Sequence, residues 1–221
     1  MQKVINRSLV DQIYSVLRDR IIEVSMEPGT KIDVQQLVEE FDVSETPVRV
    51  ALAKLTHEGL VKLLPRRGYF VIKLTKKDLK EIYDLRILLE SYAIDTAIEK
   101  MDPTKLKKIY RDFERLRGTN NSKRREKESL KIDEGFHLEI VRNCDNKRAQ
   151  ELFYRIYDFA RISQKMHKRI DQDIDEHTAV IKALLDKKKE EARRLLVQHL
   201  ENAREATLEV LDESLSEEIM S

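Results

Sequence analysis

A chain of 221 residues with 42 Lys plus Arg against 41 Asp plus Glu is long enough for one large or two small domains, and its net charge argues for no particular partner. Its single cysteine, Cys144, excludes an intrachain disulfide framework; no apolar run reaches the ~18 residues of a membrane span or resembles a secretory leader. A reducing cytoplasm is the expected location, and the 38% of charged residues suits a helical protein of the kind thermophiles use.

Residues 1–7 read as a loose arm. Over residues 8–24, Leu9, Ile13, Val16, Leu17, Ile21 and Ile22 recur at helical spacing, and Glu27-Pro28-Gly29 is the expected stop. Lys31-Ile32 reads as a short strand. Asp33 is the expected N-cap of a second helix through residue 41, whose Val34, Leu37, Val38 and Phe41 would pack on the first. Asp42-Val43 turns the chain into a third helix. There Ser44 is the expected N-cap, Pro47 falls where its missing N–H is not needed, Val48, Leu52 and Leu55 form a buried stripe, and Gly59 ends the helix. Residues 60–64 read as a strand, Pro65-Arg66-Arg67-Gly68 as its turn, and residues 69–74 as the return strand.

After Leu74 the composition shifts, since three of the five glycines and three of the four prolines precede it. A domain boundary is expected between Leu74 and Thr75, giving domains 1–74 and 75–221. Helices are expected at 75–100, from Asp102-Pro103 to 117, at 123–142, from the break at Asn143-Cys144-Asp145-Asn146 to 168, at 173–185 and at 188–211, with a turn at 118–122. The expected fold is mostly α: an N-terminal winged helix-turn-helix followed by an antiparallel bundle of six or seven helices.

Ser44, Thr46, Arg49 and Lys54 are left for the outer face of the third helix. Hydroxyls and helix-end N–H groups position on phosphates, and arginine pairs with guanine edges. A hairpin tip with two arginines suits an adjacent groove. The local charge agrees: residues 44–74 hold six basic and two acidic side chains, whereas residues 1–43 hold five basic and eight acidic. Charge alone fits a solvated face equally well. The run Ser44-Glu45-Thr46-Pro47-Val48-Arg49-Val50-Ala51-Leu52, with Glu58-Gly59-Leu60-Val61 and Arg67-Gly68-Tyr69-Phe70-Val71 after it, resembles the GntR family of bacterial transcription regulators. The resemblance implies contacts to double-stranded DNA from Ser44, Thr46 and Arg49 on the recognition helix and from Arg66, Arg67 and Gly68 on the wing. Glu45 and Val50 depart from the family pattern, which more often has arginine and glutamate at those positions, and this bears on the operator sequence.

In the helical half, Asp133 and His137 are four residues apart and share one helix face. His137 precedes Ile140 and Val141, His177 precedes Val180, Ile181 and Leu184, and His199 follows Leu195 and Leu196. Three histidines on three helices therefore sit on apolar stripes together with one carboxylate. That set suits Zn, Ni or Mn, and an ion held from separate helices would tie the bundle together. A satisfied core histidine has the same signature, and periodicity leaves both readings open. The pattern Asp133-x-x-Phe136-His137, Glu176-His177 and Gln198-His199-Leu200 resembles the FCD domain of the FadR branch of GntR regulators. The metal-binding members of that family use an aspartate and three histidines at positions that match these four.

Asp84-Leu85-Arg86-Ile87-Leu88-Leu89-Glu90 resembles the family's Arg-x-x-x-Glu helix. Arg86 is thus a candidate clamp on an effector carboxylate beside the metal, with a structural ion pair to Glu90 as the alternative. Asn146 and Arg161 are further effector candidates. Tyr154, Tyr157 and Phe159 read as core, and His57 and His167 as surface.

The expected function is a ligand-responsive transcription regulator, not an enzyme, acting as a homodimer because a two-fold protein reads a palindromic operator. A small organic acid would reach the metal's open positions and Arg86. Two rivals remain. A metalloenzyme could activate water at the same ligands, although four protein ligands tend to fill a site and Glu134 is the one inward acid to serve as base. A metal-sensing repressor would use the ion itself as the signal.

Overall fold

The computed structural model describes residues 8–119, 122–166 and 169–220, with side chains through Leu211. The expected arm at 1–7 and the surface assignment of His167 lie outside the described residues. The chain divides into two compact units, Met1–Thr75 and Lys76–Ser221. The first contains α1 (Leu9–Ile22), β1 (Lys31–Ile32), α2 (Val34–Phe41), α3 (Glu45–His57), β2 (Val61–Leu64) and β3 (Gly68–Val71). The second contains α4 (Lys76–Ala97), α5 (Pro103–Arg117), α6 (Ser122–Arg142), α7 (Lys147–Gln164), α8 (Ile170–Leu185) and α9 (Lys189–Met220).

In the first unit, α3 lies against α1 and α2 through Val48, Ala51, Leu52 and Leu55, all fully buried, with Leu17, Ile21 and Leu37 opposite. Each such aliphatic side chain contributes roughly 1.5–3 kcal/mol on burial. The sheet is antiparallel in the order β1-β3-β2. Ile32 pairs with Tyr69 and Val61 with Val71 on the core side, while Lys31 and Lys62 flank Phe70 on the other face. The alternation sets the register, since a slip by one residue would expose the whole apolar set.

Helix α1 ends earlier than its Pro-Gly signal. Val24 N–H donates to the Ile21 carbonyl at 3.0 Å and Ser25 N–H to that of Arg20 at 2.9 Å, with Val24 at φ 55°. Gly59 closes α3 with the same pair of bonds at φ 83°. A β-branched side chain in the left-handed region is strained by about 1–2 kcal/mol. Val24→Gly is therefore expected to stabilise the first unit by about 0.5–1 kcal/mol, after the entropic cost of glycine, and calorimetry should show its transition rise by a few degrees.

In the second unit, α4 packs on α6, α7 and α9, α5 packs on α6 and α8, and α8 packs on α9. Phe113, Phe136, Phe153, Ile181, Leu196 and Leu200 fill the interior. Among the described residues this unit has six helices. Helix α8 starts at Ile170, before the expected 173, and α9 runs past 211 to Met220. Tyr154 is 40% exposed rather than core, because Phe153 and Tyr157, four residues apart, take the inward positions. Among the described residues no helix is long and apolar enough to cross a membrane.

Candidate metal centre and DNA-reading face

The one-turn spacing on α6 brings Asp133 and His137 together, α8 adds His177 and α9 adds His199, and all four are buried. One donor atom from each lies within 4.8 Å of the others. The Nε2 atoms of His137 and His177 are 3.3 Å apart, and Asp133 Oδ1 is 3.1 Å from His177 Nε2 and 3.6 Å from His137 Nε2. Ligands bonded at about 2.0–2.1 Å to one ion stand roughly 3.0–3.4 Å apart, so these separations fit a shared divalent cation.

The far side of each ring is anchored. Nδ1 of His137 lies 2.5 Å from Glu90 Oε2, that of His177 donates to the Asp173 carbonyl at 2.7 Å, and that of His199 lies 2.8 Å from Glu176 Oε2. With Nδ1 used as donor, each imidazole keeps its Nε2 lone pair for the common space. Gln164 Nε2 and the Tyr157 hydroxyl donate to Asp133 Oδ2 at 2.5 and 3.3 Å, which leaves Oδ1 for the centre.

Burial lowers the pKa of both His177 and His199, His199 strongly. Burial also pulls on His137, but the Glu90 and Asp133 carboxylates beside it together outweigh this and the pKa is raised. Burial pushes Asp133 and Glu90 up; His137 next to each, with His177 at Asp133 and Arg86 at Glu90, outweighs it and holds both low. His177 and His199 are thus held neutral and Asp133 ionised, as metal ligands must be, while the raised pKa of His137 means that an ion entering the site displaces a proton from that ring.

A cavity of about 500 Å³ reaches Asp133 and His199 and is lined further by Arg86, Ser129, Gln164 and Arg169. Arg86, 1% exposed, gives its Nε to Glu90 Oε1 at 2.9 Å and stacks its guanidinium 5.5 Å from the Tyr83 and Tyr157 ring centres. The ion pair to Glu90 forms, and among the described residues Arg86 Nη2 is buried without a hydrogen-bond partner.

The other two effector candidates are placed elsewhere. The Asn146 side-chain oxygen caps α7 by accepting from Arg148 and Ala149 N–H at 3.0 and 3.2 Å, and Arg161 lies 3.5 Å from Glu134. Neither lines the cavity. Tyr157 is buried as expected, but it touches Asp133 rather than serving as plain core. Sequence reasoning gave no role to Asp173, Glu176 or Gln164. Glu176 was within reach, as the neighbour of His177; Gln164 carried no signal. Asp173, Glu176 and His199 also cluster, but Arg169 sits among them, with Nη2 2.5 Å from Glu176 Oε1 and Nε 3.5 Å from Asp173 Oδ1. The guanidinium supplies the positive charge there, so this group supports His199 rather than a second ion.

In the first unit, Ser44 stands at the N-cap of α3 with φ −72° and ψ 164° but makes no side-chain cap bond. Ser44, Thr46 and Arg49 are exposed. Arg49 Nε and Nη2 lie 2.6 and 2.5 Å from Glu45 Oε1, which raises the Arg49 pKa. The wing turn closes through Arg67 N–H to the Leu64 carbonyl at 3.1 Å, with Arg66 at φ 61° and Gly68 at φ 102°. Arg66 and Arg67 are exposed, and the Arg67 guanidinium sits 5.6 Å from the Phe70 ring centre. An open groove between α3 and the wing is lined by Glu45, Arg49, Arg66, Arg67 and Gly68. His57 is exposed, as expected.

The model of bacterial regulatory proteins of the gntR family matches residues 9–71, and that of the FCD domain matches residues 81–202, more than half of the chain. The chain belongs to the GntR family. It is similar to the HTH-type transcriptional regulator YdhC of Bacillus subtilis, 27% identical over 206 residues that cover 91% of this chain and 92% of that one. It is also similar to the gluconate operon transcriptional repressor of Bacillus subtilis, 29% identical with 83% and 77% covered. A GntR structure from Rhodococcus sp. RHA1 shares the fold at TM-score 0.77, with 22% identity and 90% and 97% covered. An FCD domain solved with Zn2+ aligns with 63% of this chain and 97% of its own at TM-score 0.56 and 20% identity. The protein is accordingly a GntR transcription regulator with an FCD ligand-binding domain, and a non-enzymatic one.

In this GntR regulator the Glu45 carboxylate holds the Arg49 guanidinium that a phosphate at the same place would have to win. Glu45→Gln is expected to tighten binding to random duplex, and to steepen the slope of log affinity against log salt by about one, the value of one added phosphate contact. Fluorescence anisotropy across a salt series checks it; an unchanged slope would show that Arg49 reaches DNA with Glu45 in place.

Proposed function

We propose that the protein is a homodimer that binds a palindromic operator through residues 1–74 and tunes that affinity with a small organic acid held beside a divalent metal in residues 75–221. The observation that carries this reading is one cavity shared by two unlike groups. Asp133 and His199, with His137 and His177 behind them, offer an ion its ligands, and Arg86 offers a buried, unpartnered N–H to an anion. When bound, the ion supplies Lewis-acid attraction for carboxylate oxygen; Arg86 fixes the other oxygen and orients the acid. Zn2+, Ni2+ and Mn2+ suit imidazole and carboxylate donors, and the Zn2+-bound FCD domain supports Zn2+.

Ser44, Thr46 and Arg49 would read the operator from α3, and Arg66, Arg67 and Gly68 from the wing. Leu85 and Leu88 on α4 and Leu152 on the adjacent α7 are exposed, by 44, 65 and 54%, and make the apolar face on which a second copy would seat. The cytoplasm is the compartment this function requires. A repressor sensing the ion alone leaves the cavity and the Arg86 N–H without a purpose. Native mass spectrometry of freshly purified protein tests the reading: the expected species is a dimer with one ion per chain and a retained small acid. A metal-free monomer would contradict it, and metal-loaded dimer whose operator binding tracks the ion without any acid would favour the sensor of the ion itself.

A further inference from the structure

The cavity beside the metal ligands holds a second buried guanidinium nitrogen that has no partner among the described residues, Arg169 Nη1. On the same side chain Nη2 lies 2.5 Å from Glu176 Oε1, and Nε is 3.5 Å from Asp173 Oδ1, an ion-pair distance without a hydrogen bond. The Glu176 carboxylate fixes the guanidinium in place and leaves the N–H groups of Nη1 unassigned. Arg169 is also the residue at the N-cap of α8, where no side chain caps the helix, and the first-turn residues Ile170, Asp171 and Gln172 line the cavity. Among the first backbone N–H groups of a 16-residue helix, several lack an intrahelical acceptor and favour oxygen ligands. Arg86 Nη2, on the α4 wall, is the other orphan donor. Beside these two donors one buried acceptor in the cavity, Asp173 Oδ1, also makes no hydrogen bond among the described residues. A buried N–H without a partner costs about 1–3 kcal/mol, so the two donors outnumber the acceptor at hand.

We propose that the effector is a dicarboxylate, with one carboxylate at Arg86 and the metal ligands and the second at Arg169 and the start of α8. The inference rests on the effector reading above and specifies it. Arg169 is then the residue that selects diacids over monoacids. Its position explains why its fork is held by Glu176 rather than left mobile: a pre-set donor loses less entropy on binding.

The test is calorimetric titration of the full-length, Zn2+-loaded protein with succinate and malate as diacids and acetate and lactate as monoacids. The diacids are expected to bind at least about tenfold more tightly, the factor one charge-assisted hydrogen bond supplies. Arg169→Gln should bring the two classes to within about threefold of each other, whatever it does to their common affinity through Glu176 and His199, and Arg169→Lys should restore part of the preference. Arg86→Gln should weaken both classes together. Because the readout is a ratio within one protein, a general loss of stability in a variant does not imitate it; thermal melts of each variant confirm the folded state. Equal binding of both classes by the wild type would overturn the dicarboxylate assignment and leave the effector reading standing; a diacid preference that survives Arg169→Gln would overturn the role of Arg169. No binding of any of the four acids would overturn it together with the effector reading.

Discussion

His177→Ala is expected to weaken metal binding by roughly a hundred- to a thousandfold. Structural zinc sites hold their ion with about 10–16 kcal/mol shared over four ligands, so removing one ligand takes away about 2.5–4 kcal/mol, and 1.4 kcal/mol is a factor of about ten. His177 is the most informative ligand to remove, because its Nε2 lies close to both Asp133 Oδ1 and His137 Nε2. A competition titration with a chromophoric chelator reads the change. Glu90→Gln makes the graded comparison. It leaves every ligand in place but exchanges the carboxylate that anchors His137 Nδ1 for a carboxamide, and it takes the charge from beside Arg86. Loss of such a support typically weakens metal binding by about 10–100-fold. Chelation of the wild type should lower the melting temperature of the second unit, since an ion present at about a thousand times its Kd adds about 4 kcal/mol. Equal affinity of the His177→Ala and wild-type proteins would remove the ion from these four residues.

The second large effect belongs to the DNA face. Arg49→Ala is expected to reduce the ratio of operator to random-duplex affinity by roughly 5–150-fold, the range of about 1–3 kcal/mol for one bidentate base contact. Arg66→Gly should behave differently. It removes a wing charge, so affinity for operator and random duplex should fall together and the salt slope should shrink by about one. It also frees the turn from a non-glycine residue at φ 61°, so the first unit should gain about 1 kcal/mol of stability. Weaker DNA binding by a more stable protein would show that the change removes a DNA-facing charge and leaves the domain sound. Small, equal effects of both changes on specific and random duplex would count against α3 and the wing as the reading elements.

Much of this architecture can be read from apolar spacing. Val48, Leu52 and Leu55 announce the inward face of α3, and the residues around His137, His177 and His199 announce that those imidazoles turn inward, because a helical stripe is a local property of the chain. Helix ends were less legible. The stop of α1 comes from two hydrogen bonds around Val24, a residue type that rarely takes a left-handed backbone, so composition pointed to the later Pro-Gly instead. The anchors of the imidazoles were hidden for a different reason. Glu90 and His137 are 47 residues apart, and only the packing of α4 on α6 makes them neighbours. Asn146 shows a third limit: a carboxamide suits a ligand pocket and an N-cap equally, and its place at the start of α7 settles which one it serves.

The proposed coupling of an acid beside Arg86 to operator affinity is the central claim, and one linkage measurement addresses it. The operator Kd of the metal-loaded dimer is titrated with and without saturating acid, and the acid Kd with and without operator. Because coupling is reciprocal, both constants are expected to change by the same factor, of order 5–150-fold. An operator Kd that saturating acid leaves unchanged would contradict the account.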